Sequence, residues 1–320
     1  MTSATTAGTA IFDRYHNVAV IGAGVIGSSW TALFLAHGLR VVVNDPRPDI
    51  RTVVLSDLAK IAPTLRQLGL RSEGLEEKLS FEADLHRAVS GVDVVQENGP
   101  ERVEFKQQLW ASIENSISSH ALLLSSSSAR PATEQGRDMK DAGRLLIGHP
   151  FNPPHLIPLV EVVPGERTRP EAVEDAFAFY MALGKVPRVL RKEIQGFVAN
   201  RLQRAIMRES CYLVQQGVCT IDELDDIVTS SIGLRWAVNG PFSSFHMGGG
   251  PGGLASFFEN LGKNMAAAWK MMPPVELDDE LKQRIVTQAA AFAPIDQMER
   301  ERDDKQIALL RALRPLAPPA

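Results

Sequence analysis

At 320 residues the chain is long enough for two domains, each with a core of its own. Hydrophobic content of 44% and charged content of 22% are those of an ordinary soluble globular protein. A formal net charge of −4 and a pI near 6.0 argue against nucleic acid or an anionic membrane surface as partner.

The first ten residues, small and polar, are expected to be disordered. The opening MTSATTAGTAIFDRYH has neither the basic region nor the apolar core of a signal peptide. No apolar run approaches the ~20 residues of a membrane span. Cys211 and Cys219 lie eight apart in a helical region, which suits neither a disulfide framework nor a metal site. A reducing cytoplasm is the expected location, and no metal is expected.

Asn17 to Asp45 organises the rest. Val18 to Ile21 is an apolar, β-branched run of the kind found in buried parallel strands. Gly22-Ala-Gly24-Val25-Ile26-Gly27 follows, then a helical stretch with Trp30, Leu33 and Phe34 on one spacing and Gly38 as its stop. A second run, Val41 to Val43, ends in Asn44-Asp45. This is a dinucleotide-binding fingerprint. Gly22 permits the tight turn, Gly24 the close approach of a pyrophosphate, and Gly27 the packing of helix on strand. The helix N-terminus, opened by Val25 and Ile26, offers N–H groups and a positive dipole end. Asp45, 21 residues after Gly24, can accept from both ribose hydroxyls and repel a 2′-phosphate, so NAD is expected over NADP despite Arg47 nearby.

Further along, residues 49 to 80 read as one or two helices, 81 to 84 as a short strand and 85 to 89 as a short helix. Val92 to Val95 is a strand, followed by the turn Gln96-Glu-Asn-Gly-Pro-Glu101 and a helix from Arg102 to Ile117. Strands at 121 to 124, 145 to 147 and 160 to 163 follow, then a helix at 170 to 183. From about residue 190 only helical signals remain, including Phe197 to Gln216 and a capping box at Thr220-Ile-Asp-Glu223. The pairs Phe257-Phe258 and Met271-Met272 read as core. The tail from Pro315 cannot continue a helix. The expected fold is α/β, a Rossmann-type doubly wound parallel sheet over residues 1–191, followed by an all-helical domain over 192–320.

In such sheets ligands sit at the carboxyl ends of the strands. Several polar groups fall there: Ser125 to Ser128, His149 in HPFNP, and the turn from Glu97 to Glu101. Glu161, in LVEV, lies twelve residues after His149, and Asn200 stands in GFVANRL. These linked motifs, with the glycine fingerprint, resemble the L-3-hydroxyacyl-CoA dehydrogenase superfamily over nearly the whole chain. The resemblance implies that His149 is the catalytic base and Glu161 orients it. It further implies that Ser127 and Asn200 hydrogen-bond the substrate, with Ser128 an adjacent alternative. Ser125 and Ser126 stand where the family usually has Asn and Thr. Glu101 and Lys106 match a family pair near the nicotinamide half of the cofactor. The relatives imply a homodimer joined through the helical domain, with its centre within residues 196 to 313.

The residue types suit the chemistry. Oxidising a secondary alcohol moves a hydride to the nicotinamide while a proton leaves the hydroxyl. Imidazole, with an ordinary pKa of about 6.5, takes such a proton at neutral pH. A carboxylate on the other ring nitrogen fixes the tautomer and supports the imidazolium. The turn VQENGPE, the segment VEVVPGERT and the motif GLRWA are similar to the free 3-hydroxy acid branch, which includes L-gulonate 3-dehydrogenase (lambda-crystallin) and L-carnitine dehydrogenase. Residues 49 to 80 hold five basic and five acidic groups, a poor docking face for CoA phosphates. A small free 3-hydroxy acid, gulonate- or carnitine-like, is therefore the expected substrate, with Arg235 anchoring its carboxylate. Trp236 and His246 are further pocket candidates, with packing at a dimer interface the alternative and the favoured reading of His246. A CoA thioester is the alternative substrate, and a non-catalytic crystallin-like protein the alternative function.

Overall fold

A computed structural model of the chain describes residues 10–272 and 274–313. The expectations for residues 1–9 and for the tail from Pro315 lie outside the described residues; Ala10, expected to be disordered, is helical. The chain divides into two compact units, Met1–Asn200 and Arg201–Ala320.

In the first unit, apolar runs form an eight-stranded sheet. Its strands are β1 (Asn17–Ile21), β2 (Arg40–Asn44), β3 (Leu79–Phe81), β4 (Val94–Glu97), β5 (Leu122–Ser125), β6 (Leu145–Pro150), β7 (Leu159–Pro164) and β8 (Val186–Val189). The spatial order is β3-β2-β1-β4-β5-β6-β7-β8. β1 has parallel neighbours on both sides, β2 and β4, so the order reverses between β1 and β4. One face of the sheet packs on helices Val25–Ala36 and Pro170–Ala182 through Trp30, Phe34, Phe179 and Tyr180, all below 1% exposed. The other face packs Leu123 against helix Val103–Ile113, which buries its Trp110 and Ile113 there. Both faces are covered, which is why the strands read as continuous apolar runs.

Two features differ from the reading of the sequence. β7 runs antiparallel to β6, so the sheet is mostly rather than wholly parallel. The chain returns from Pro150 to Leu159 in a short connection, too short for the crossover that a parallel pair needs. β8 is a strand where none was expected; it pairs parallel to β7 at the edge of the sheet, where Pro187 is tolerated.

The second unit is helical, from Ala199–Gln215 and Ile221–Ser230 to Ile295–Leu313. The capping box is present: Thr220 Oγ1 accepts from Glu223 N at 3.3 Å and Glu223 Oε2 from Thr220 N at 2.8 Å. Among the described residues, the buried hydrophobic side chains of this unit are Cys211, Val214, Phe257, Leu281 and Ile307. Phe257 stacks on Phe245 at 4.7 Å, but Phe258 is 52% and Met271 80% exposed. Those two, and Met272 at 37%, are read as core from the sequence but stand exposed.

Candidate active site

β1 runs into a turn that needs glycine. Gly22 has φ +79°, and a Cβ on it would lie 3.0 Å from the Asn98 carbonyl oxygen. Gly27 lies in the first turn of helix Val25–Ala36, where a Cβ would lie 2.0 Å from the Gly22 oxygen. Gly24 is different, since a Cβ built there meets nothing within 4 Å. It fronts a helix N-terminus, Val25 and Ile26 first, that no side chain caps. Open space before uncapped N–H groups at a positive dipole end fits a pyrophosphate.

Asp45 follows β2 and is held from two sides. Its Oδ2 accepts from Ala23 N at 2.9 Å and Arg47 Nη2 at 2.9 Å, and its Oδ1 from Arg47 Nε at 2.8 Å. Burial pushes the Asp45 carboxyl up, but these hydrogen bonds from Arg47 and Ala23 outweigh it and hold the group below the ordinary carboxylate range.

At the reversal between β1 and β4, parallel register sets Ile21, Glu97 and Ser125 at one edge of the sheet. Ser126 Oγ accepts from Trp30 Nε1 at 3.1 Å and Gln96 Nε2 at 3.0 Å, and donates to Asn98 Oδ1 at 2.7 Å. Tyr180 OH donates to Gln96 Oε1 at 3.1 Å, and Asn98 Nδ2 to the Gly22 carbonyl at 3.3 Å. A buried polar chain thus fixes the glycine turn to the strand ends.

Lys106 is 1% exposed and lies 3.6 Å from Glu101 Oε2, the partner that the sequence suggested. Its tighter partner is Glu97, both of whose oxygens stand 2.8 Å from Nζ. Glu97, fully buried, also accepts from Ser125 Oγ at 2.6 Å and Gly99 N at 2.6 Å. This role was missed, because nothing local in a strand-end glutamate announces a partner nine residues on. Glu101 Oε1 accepts from Ser127 Oγ at 2.6 Å, Ser128 N at 2.9 Å and Ala129 N at 2.8 Å. Burial pushes the Glu101 carboxyl up; these donors and the Lys106 ammonium bring it below its ordinary range.

His149 and Glu161 stand directly opposite each other in the antiparallel β6–β7 ladder, which gives their twelve-residue spacing its meaning. His149 Nδ1 lies 2.8 Å from Glu161 Oε2, with the residues 4% and 2% exposed. The imidazole lies among aromatic rings, with centroids 5.1 Å from Phe151 and 5.4 Å from Phe197. Phe197 has φ +48° and follows Gly196 at φ +78°. That left-handed pair turns the N–H groups of Val198 and Ala199 onto Glu161 Oε1, each at 3.0 Å. Burial raises the Glu161 carboxyl, but the bonds from His149, Ala199 and Val198 outweigh it and leave it below the ordinary range. The GFVAN motif is thus the support of the glutamate.

Asn200, half-buried, is the second residue of helix Ala199–Gln215. Arg235 is exposed on helix Ile232–Val238 of the second unit, next to Trp236. His246 Nδ1 accepts from Leu254 N at 3.3 Å, a bond within its own helical unit.

The 3-hydroxyacyl-CoA dehydrogenase NAD binding domain model matches residues 17–194, and the C-terminal domain model of the same family matches residues 196–299. The chain is 40% identical over 303 residues to L-carnitine dehydrogenase of Streptomyces griseus subsp. griseus, covering 94% of this chain and 90% of that protein. It is 40% identical over 299 residues to L-carnitine dehydrogenase of Pseudomonas aeruginosa, covering 92% and 93%. The solved structure of 5-formyl-3-hydroxy-2-methylpyridine 4-carboxylic acid 5-dehydrogenase, an NAD+-dependent dismutase, superposes with TM-score 0.81 at 30% identity, covering 95% of this chain and 100% of that one. The chain is an NAD-dependent dehydrogenase and belongs to the 3-hydroxyacyl-CoA dehydrogenase family.

Proposed function

We propose that the chain oxidises the 3-hydroxyl of a small free L-3-hydroxy acid, carnitine-like, to the 3-keto acid. The observation that carries this reading is the His149–Glu161 pair at the carboxyl edge of the sheet. Two L-carnitine dehydrogenase relatives at 40% identity support the substrate class.

NAD, when bound, supplies the hydride acceptor. Backbone N–H groups around Gly22, Gly24, Val25, Ile26 and Gly27 would hold the pyrophosphate, Asp45 would meet the adenosine ribose, and Glu101 and Lys106 would serve the nicotinamide half. Glu161 accepts from Nδ1, so Nε2 of His149 is the nitrogen that takes the proton of the 3-hydroxyl. Glu161 then stabilises the imidazolium. The single proton of Ser127 goes to Glu101. Ser127 therefore anchors its loop, and Ser128 with Asn200 holds the substrate oxygen.

Arg235 pairs with the substrate carboxylate. The helical domain, residues 192–320, carries this substrate contact and the dimer surface. Phe242, Leu261, Trp269 and Met271 are 73%, 74%, 64% and 80% exposed and support a homodimer, which light scattering tests. A monomer at micromolar concentration would refute it. Among the described residues no helix is long and apolar enough to cross a membrane, and both cysteines are unpaired, which suits a cytoplasmic enzyme.

Initial rates of NAD reduction with L-carnitine, L-gulonate and 3-hydroxybutyryl-CoA test the substrate class. A free acid should be the best substrate, and Arg235→Met should raise its KM roughly tenfold or more while sparing the thioester. A thioester turned over far better than either acid would sink the free-acid reading.

A further inference from the structure

The loop that leaves the carboxyl end of β5 carries an arginine whose side chain has no partner. The backbone of Arg130 is fixed: its N–H donates to Ser127 Oγ at 2.9 Å, and its carbonyl accepts from Gln135 Nε2 at 2.9 Å. The residue is half-buried and its Nε is fully covered. Yet among the described residues the guanidinium donates no hydrogen bond and pairs with no carboxylate. Arg144 shows the contrast. Its Nε is also unmet, but its Nη1 donates to the carbonyls of Ser118 at 2.7 Å and Ala121 at 3.0 Å.

The carboxylate on the same loop is already filled. Glu101 Oε1 accepts from Ser127 Oγ, Ser128 N and Ala129 N, and Oε2 faces Lys106. Two other cations at this edge of the sheet are neutralised, Lys106 by Glu97 and Arg47 by Asp45. Arg130 keeps its charge free. A guanidinium has five N–H donors and stays protonated, and proteins seldom leave such a buried donor unmet. An anion brought to the site would meet it. In a 3-hydroxy acid a single carbon separates the carboxylate from the carbinol carbon, and Ser128, assigned to the substrate oxygen, lies two residues before Arg130. We propose that Arg130 is a specificity-determining residue that binds the substrate carboxylate from the first unit. A carboxylate has about four lone-pair sites, so Arg130 and Arg235 are not exclusive partners. This role of Arg130 rests on the reading of the substrate as a free 3-hydroxy acid.

Initial rates at saturating NAD with L-carnitine, L-gulonate and the carboxamide of each, in the wild type and Arg130→Met, test it. The amide keeps the shape of the carboxylate and removes its charge. Arg130→Met should raise the KM of the better acid roughly tenfold or more and change that of its amide by less than about threefold. The preference for acid over amide in kcat/KM should therefore fall roughly tenfold, with NAD affinity within about twofold of wild type. A preference that falls by less than about threefold, whether because both substrates suffer alike or because neither does, overturns the role of Arg130. Arg130→Gln, neutral but polar, serves for the same comparison if Arg130→Met does not fold. The wild type alone decides the underlying reading: 3-hydroxybutyryl-CoA turned over far better than either acid would overturn that reading, and the role of Arg130 with it.

Discussion

Glu161→Gln is the substitution whose outcome the geometry constrains most tightly. Glutamine keeps the shape but has one acceptor oxygen and one NH2. Oε1 of Glu161 serves two backbone donors, Val198 N and Ala199 N, each at 3.0 Å. Oε2 serves one, His149 Nδ1 at 2.8 Å. If the amide NH2 faced the backbone pair, two buried donors would lose their acceptor, at roughly 1–3 kcal/mol each. The amide oxygen therefore stays with Val198 and Ala199, and the NH2 faces the imidazole. Nδ1 must then accept, which moves the ring proton to Nε2 and leaves no base toward the substrate. Turnover should fall roughly 10²–10⁴-fold. NADH formation from L-carnitine measures the rate, and fluorescence titration of NAD should show an affinity near the wild-type value. Retention of more than about a third of the activity would refute the tautomer argument.

Other outcomes follow from the same residues. Gly27→Ala places a methyl 2.0 Å from the Gly22 oxygen and should cost roughly 1–3 kcal/mol in a urea melt. Gly24→Ala meets open space, so it should leave stability within about 0.5 kcal/mol while weakening NAD roughly tenfold, as calorimetry would read. Burial pushes Lys185, which donates to the carbonyls of Pro154 and Ile157, down to about 7 from an ordinary 10.5. Between those values the unfolded chain binds the extra proton, so stability relative to Lys185→Met should rise as pH goes from about 7 to 10. Paired melts at the two ends of that window check the sign.

Much of the fold was legible because apolar runs and glycine stops are local signals. The glycine turn, Asp45 and the Thr220 capping box could be read from adjacent residues alone. The antiparallel β7 was legible in principle, since the connection from Pro150 to Leu159 is too short for a crossover. β8 was not, because Val186-Pro-Arg-Val189 has mostly exposed residues and an edge-tolerated proline. The motifs brought His149 and Glu161 into view, and the ladder register explains their spacing. Glu97 stayed hidden, since its meaning lies in Lys106 and Ser125 on other elements. Phe258 and Met271 misled because apolar residues on a surface look like core in a sequence.

The central claim is that His149 takes the hydroxyl proton. His149→Gln keeps the ring's approximate volume and some hydrogen bonding but cannot carry that proton, so it tests the claim most directly. Single-turnover NADH formation from L-carnitine should fall roughly 10²–10⁴-fold while NAD affinity stays within about twofold of wild type. A variant that keeps more than about a third of the wild-type rate would contradict the account.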